Sequence, residues 1–297
     1  MSVRAAFLGV ILIWSTTPLA IRWSTDGSDF AFAVFARMLI GALVAALLIA
    51  LWRIDFPRHR RALLAYLVGG AGLYGGMALT YWSARLLPSG LISVIFGLSP
   101  LLAGLFAALF LGEKALTPWR IAGTLLGLAG LARIFLQDGS HPAALPVIGV
   151  AALLLAVLIY SATMVAMKRI GDHSPPLATT LGTLLVSLPA FFLTWWVGGE
   201  PLSLPAPRAL GAIVYLGVFG SVLGFALYYY TLRHMEASRV ALATLVTPVM
   251  ALALGQWLNG ERIAPEVTSG TALIMAGLLA YQSDQWLGRW RASRAGA

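Results

Sequence analysis

Eleven carboxylates and four histidines are the groups in this chain suited to moving protons near neutral pH, and none stands in the middle of an apolar run. The acids are Asp26, Asp29, Asp55, Asp138, Asp172, Asp284, Glu113, Glu200, Glu236, Glu261 and Glu266; the histidines are His59, His141, His173 and His234. A proton relay through a membrane needs such groups at depth, so obligatory proton coupling is not expected. Cys is absent, which removes thiolate and disulfide chemistry. No zinc-ligand spacing, nucleophile constellation or phosphate-binding loop is present, so no cofactor, metal or enzymatic activity is expected.

The apolar runs carry rings and hydroxyls instead. Tyr74, Ala78 and Tyr81 stand at i, i+4 and i+7, on one face of a helix. Phe225, Tyr228, Tyr229 and Tyr230 crowd a later run, and Trp14-Ser15 and Tyr160-Ser161 occupy matching places in two others. A buried phenol or indole needs a hydrogen-bond partner and is poorly placed against lipid. The competing reading, packing or an interfacial aromatic belt, covers most of the ten Trp. Proline adds a second signal. Pro18, Pro100 and Pro248 lack an N–H and leave the carbonyls of Trp14, Phe96 and Thr244 without their helical partner. In lipid such carbonyls need another: either a substrate or water meets them, or Ser99 and Thr247 relieve a passive kink. The candidate binding set is therefore Trp14, Ser15, Tyr74, Tyr81, Phe96, Ser99, Tyr160, Ser161, Tyr228 and Thr244, and the candidate gating set Pro18, Gly76, Pro100, Gly224 and Pro248. Arg37, about 10 Å into its run by helix rise, is expected to snorkel to the surface. Glu113 and Glu261 are expected to form surface ion pairs beside Lys114 and Arg262.

Positioning such groups is the task of a membrane bundle. Of 297 residues, 60% are hydrophobic and 10% charged, and a soluble core of this length cannot hide so much apolar surface. Runs long enough to span a bilayer lie near 4–22, 31–52, 62–83, 89–111, 118–136, 144–167, 177–198, 209–232, 239–258 and 266–287. Backbone groups in lipid must pair within each segment, so the expected fold is an all-α membrane protein of ten transmembrane helices. The net charge of +9 sits between the runs, where it sets topology rather than marking a nucleic-acid partner. With a cytoplasmic N-terminus, fourteen Lys and Arg fall inside and five outside, Arg37 standing within a span. Both termini are thus expected in the cytoplasm. The lipid bilayer is the expected surrounding, and a monomer is allowed.

Two halves of the chain repeat. Gly76, Ala78, Leu79, Tyr81, Arg85, Pro100, Ala103, Gly112 and Glu113 recur, each 148 residues on, as Gly224, Ala226, Leu227, Tyr229, Arg233, Pro248, Ala251, Gly260 and Glu261. Residues 1–141 and 142–297 are read as two five-span units, the second with a basic cytoplasmic tail. Because five is odd, the second unit enters the membrane from the opposite side. The pair forms an inverted repeat, the symmetry suited to alternating access with substrate held between the halves.

Five spans, a Pro in the fourth and Gly-Glu-(Lys/Arg) at its end resemble the drug/metabolite transporter superfamily, and more narrowly its ten-span EamA-type exporters. The resemblance covers nearly the whole chain. Trp14-Ser-Thr-Thr-Pro18 and the Tyr-rich third and eighth spans resemble bacterial amino acid exporters, including the aromatic amino acid exporter. It implies a cavity lined by spans 1, 3, 4, 6, 8 and 9, with 5 and 10 peripheral, in a bacterial inner membrane. The small multidrug antiporters of the superfamily carry a Glu in their first span, whereas Ile11 to Ala20 has none. With no cation foreseen in the cavity, sugar phosphates are also disfavoured. Export of amino acids, broad and tolerant of apolar and aromatic side chains, is the expected activity. The alternatives are export of other neutral metabolites or lipophilic cations, an intramembrane enzyme, or a scaffold without transport.

Overall fold

The structure, a computed structural model, describes residues 2–27, 29–111, 117–135, 146–198, 205–234 and 243–295. Within them, the side chains of 135, 228, 229, 232–234, 243–245, 282 and 284–295 lie outside the description. The regular structure among the described residues is all helical, with α1 Val3–Ser24, α2 Phe30–Trp52, α3 Arg60–Ala84, α4 Ser89–Phe96, α5 Ser99–Leu111, α6 Pro118–Phe135, α7 Val147–Ile170 and α8 Pro176–Gly198. Then come α9 Pro207–Tyr215, a π-helical segment Leu216–Leu223, α10 Gly224–His234, α11 Ala243–Asn259 and α12 Pro265–Ala295. Seven units among the described residues are long and apolar enough to cross a membrane: α1, α2, α3, α4 with α5, α7, α8, and α9 running on through the π-segment.

Local chemistry sets the helix ends. Ser2 Oγ accepts from Ala5 N at 3.2 Å, and Asp29 accepts from Ala31 N and Phe32 N, filling orphan donors at the starts of α1 and α2. Gly171 ends α7 with φ 62°, a left-handed cap that glycine takes without strain. Two expected spans are not single α-helices. The 89–111 run breaks between α4 and α5 at Gly97-Leu98, because Pro100 has no N–H to close the turn. Ser99 Oγ donates instead to Phe96 O at 2.6 Å. The 209–232 run passes through the π-segment, where Gly217 and Gly220 bring the chain close to α2, and Gly224, just after it, brings α10 close to α1.

The helices sort their faces as lipid would require. On α2, Leu39, Leu43, Leu47 and Leu51 form an exposed stripe, while Ala33, Arg37, Gly41 and Ala45 form a buried one at the same four-residue spacing. Most close packing runs between the first and second halves. α1 lies on α9, α10 and α11; α2 on α8 and the π-segment; α3 on α7 and α8; α4 on α11; α5 on α7; and α6 on α12. That pattern is reciprocal: exchanging the two halves returns the same set of pairs. The α6–α12 seam is built on glycine. A Cβ at Gly130 would lie 2.5 Å from Gly270 O, and one at Gly270 2.7 Å from Gly130 O. Gly123 and Gly277 oppose each other in the same way.

Candidate functional site

The expected binding residues separate into four groups. At the α4–α5 break, the Phe96 and Tyr160 rings meet edge to face at 6.1 Å, and Ser161 Oγ donates to Ser99 O at 3.4 Å. The break is thus lined by rings and hydroxyls, with α7 closing one side. Gly97 also faces Pro248: a Cβ there would lie 3.6 Å from the Pro248 ring. Pro100 and Pro248 therefore belong to α4–α5 and α11, which pack together at this level. The Phe96 carbonyl, expected to be left open by Pro100, already accepts from Ser99, which is the passive relief of the kink weighed from sequence.

The second group is the crossing of α1 with α10. A Cβ at Gly224 would lie 3.3 Å from Trp14 Nε1 and 3.3 Å from the Ile13 side chain. Ser15 and Pro18 are buried in α1, and Ser15 Oγ has no hydrogen-bond partner among the described residues. A buried hydroxyl left unpaired is costly. Gly76 answers Gly224 in the other half, facing Ala156 O of α7 at 3.6 Å from a built Cβ.

Tyr74 goes elsewhere. Its hydroxyl pairs with Thr194 Oγ1 at 2.7 Å and its ring meets Phe191 at 5.1 Å, which places it at the α3–α8 interface. Tyr228 and Thr244 lie outside the described side chains.

Tyr81 forms the fourth group with a residue read differently from sequence. Arg37 does not snorkel: it is 3% exposed and held between α2, α3 and the π-segment. Its Nε donates to Ser221 Oγ at 3.1 Å and its Nη1 to the Tyr81 hydroxyl at 3.3 Å, and its Cζ lies 5.9 Å from the Tyr81 ring centroid. A Cβ at Gly220 would stand 3.3 Å from Nη2, so only glycine leaves the guanidinium its present room. Among the described residues no carboxylate pairs with it. Two hydroxyls and a ring are weak compensation for a buried charge, whose desolvation costs several kcal/mol even after relaxation. The physical reason for the difference is the face: Arg37 lies on the buried small-residue stripe of α2, not on its lipid side. The helical period in the sequence carried that signal.

Glu261 is likewise corrected. Its carboxylate is not paired with Arg262 but reaches across to α4, accepting from Ser89 Oγ at 3.0 Å and Gly90 N at 3.5 Å. Asn259 Nδ2 donates to the other oxygen at 2.9 Å. Asn259 Oδ1 in turn accepts from Trp23 Nε1 at 3.0 Å and Arg208 Nη2 at 3.5 Å, and Arg208 lies 4.2 Å from the Trp23 ring centroid. Arg22 donates to Ala84 O nearby. The ends of α1, α3 and α11 and the starts of α4 and α9 are thereby tied together at one end of the bundle. Glu113 lies outside the described residues. A side cleft of about 160 Å³ beside Gly104, Arg120 and Tyr281, between α5, α6 and α12, includes none of the expected binding residues.

The comparisons with known proteins agree with this architecture. The EamA-like transporter family matches residues 3–136 and again 147–281. A probable terminal-alkyne amino-acid exporter of Streptantibioticus cattleyicolor is 28% identical over 279 residues, 92% of this chain and 91% of that protein. Protein PagO of Salmonella typhimurium is 27% identical over 269 residues, 89% and 87% of the two chains. The uncharacterized inner membrane transporter YedA of Escherichia coli is 25% identical over 260 residues, 87% and 83%. One solved crystal structure has the same fold, with a TM-score of 0.66 at 24% identity over 94% of this chain and 96% of that one. The chain is therefore a multi-pass membrane transporter and belongs to the EamA-like transporter family.

Proposed function

We propose that the protein exports amino acids across a bacterial inner membrane, with broad specificity that includes apolar and aromatic side chains. The carrying observation is the neutral lining of the α4–α5 break, where Phe96, Tyr160, Ser99 and Ser161 meet with no acid or imidazole among the described residues. Rings of this kind accept varied side chains by area and shape, and hydroxyls meet the polar end of a zwitterion. The likeness to an amino-acid exporter supports the substrate class. Buried Arg37 weighs against lipophilic cations, since a fixed positive charge repels them. It also removes the premise that the interior lacks a cation, although one guanidinium suits a monoanion better than a phosphate dianion.

In this reading, residues 1–141 and 142–297 are inverted five-span units, ten spans in all, and both termini face the cytoplasm. The reciprocal packing of the halves and the doubled family match support it. Transport proceeds by alternating access, one monomer sufficing, with Trp14, Ser15 and Pro18 of α1 and their partners rearranging around substrate. Gly76, Pro100, Gly224 and Pro248 stand at the helix crossings that would move.

Purified protein in liposomes loaded with phenylalanine should take up labelled phenylalanine, leucine and related amino acids by counterflow. A pH jump alone should drive no accumulation, because no carboxylate or histidine stands in the middle of an apolar run of the sequence to carry the proton. Absence of counterflow across the whole panel would remove the amino-acid reading. Trp14→Ala should lower apparent affinity about tenfold, the loss of an interior aromatic contact, with elution from a sizing column unchanged. Full transport of every substrate by this variant would remove Trp14 from the path.

A further inference from the structure

The amino-acid reading leaves the substrate's carboxylate without a partner, and Arg37, the one charged residue fully buried among the described residues, has no carboxylate paired with it. We propose that Arg37, oriented by Tyr81 and Ser221, is the subsite for the carboxylate of the transported molecule. The inference rests on the amino-acid reading and deepens it.

The geometry is that of a prepared anion site. Guanidinium presents five N–H donors in a planar fork that matches a carboxylate in bidentate fashion. Here Nε is turned to Ser221 Oγ and one Nη1 proton to the Tyr81 hydroxyl, so the fork is fixed in direction while three N–H groups have no acceptor among the described residues. Both partners are neutral hydroxyls. A carboxylate arriving here replaces no existing ion pair and gives the three open N–H groups an anionic acceptor, stronger than a neutral hydroxyl.

The supports come from different parts of the chain. Tyr81 is on α3, in the first half, and Ser221 is in the π-segment of the second. π-Helical turns occur frequently at functional sites. Glycine makes this crossing close: a Cβ at Gly41 would lie 3.2 Å from Ser221 Cβ, one at Gly217 2.6 Å from the Ile40 side chain, and one at Gly220 3.3 Å from Arg37 Nη2. Small residues let helix backbones approach closely, so little side-chain bulk stands between the π-segment and α2. Movement of the π-segment relative to α2 would uncover the fork, and its return would occlude a bound carboxylate. Charge neutralised in this way gives the closed, loaded state a stability that the empty one lacks.

The test uses the full chain in liposomes and competitors that differ only in the carboxylate: phenylalanine against phenylalaninamide, and leucine against leucinamide, each displacing labelled phenylalanine in counterflow. For the wild type, each acid should compete about tenfold better than its amide. In Arg37→Gln the preference should vanish, and Arg37→Lys should recover part of it, because a point charge lacks the fork. A merely structural arginine predicts that Arg37→Gln weakens acids and amides alike and keeps their ratio. If Arg37→Gln does not fold, Ser221→Ala and Tyr81→Phe decide, as they keep the charge and release its orientation. Each should weaken the acids about threefold more than the amides; an equal change in both would overturn the proposal. If the wild type moves no amino acid, the functional reading falls and the subsite with it. If it moves amino acids but takes amides as well as acids, or Arg37→Gln keeps the preference, the subsite alone falls.

Discussion

Gly277→Ala is expected to destabilise the folded bundle by about 3 kcal/mol, at the upper end of ordinary overpacking. The added Cβ would stand 2.6 Å from Gly123 O and 2.8 Å from Gly127 N. Both are backbone atoms of α6, so no rotamer change relieves the clash and the whole seam must open. Gly211→Ala is the matched control: it is a helical glycine of α9 with nothing within 4 Å of a built Cβ. Unfolding midpoints of the two variants in detergent, titrated with a denaturing surfactant, make the comparison. Equal midpoints for the two would mean that α6 and α12 do not meet in this register.

Glu261→Ala is expected to open the end of the bundle where α1, α4, α9 and α11 are tied. The carboxylate accepts from Ser89, Gly90 N and Asn259, and hydrogen bonds to a charged group contribute about 1.5–3 kcal/mol each. Losing even the lower figure shifts an open–closed equilibrium about tenfold. Because the chain has no Cys, Ser24→Cys supplies a single reporter at this end, where Ser24 is fully buried. Its reaction with an impermeant maleimide should accelerate about tenfold in the Glu261→Ala background. Under the proposed topology the reagent works from the periplasmic side. An unchanged rate would show that the contacts around Asn259 and Trp23 hold the end shut without Glu261.

How far the structure was legible from sequence depends on whether the cause was local. The break at Gly97-Leu98 was legible because Pro100 acts on its own helix, and the apolar runs foretold helices because lipid leaves no other way to pair a backbone. Partnerships across the bundle were not. Glu261 has Arg262 beside it in sequence, yet its hydrogen-bond partner Ser89 is 172 residues away. Tyr74 and Tyr81 share a helical face, but Tyr74 meets α8 while Tyr81 meets Arg37 on α2. For Arg37 the direction around the helix, not the depth along it, decides burial. The Leu39, Leu43, Leu47 and Leu51 stripe marks the lipid side of α2, and Arg37 is opposite it. The π-segment had only Gly217, Gly220 and Gly224 as a hint, and glycine alone does not distinguish a π-turn from close packing.

The α6–α12 seam also sets a timetable for biogenesis. Gly123 and Gly277 are about 150 residues apart, and ribosomes add roughly 5–20 residues per second. α6 therefore enters the bilayer on the order of ten seconds before the helix that covers its glycine face is made. During that interval Gly123 and Gly130 present bare backbone to lipid, the kind of smooth surface on which transmembrane helices take substitute partners. A chain terminated before Pro265 keeps that face uncovered for good. Such a fragment is expected to pair through α6 with another copy of itself, so nonsense truncation late in the gene would yield a competing dimer as well as lost transport.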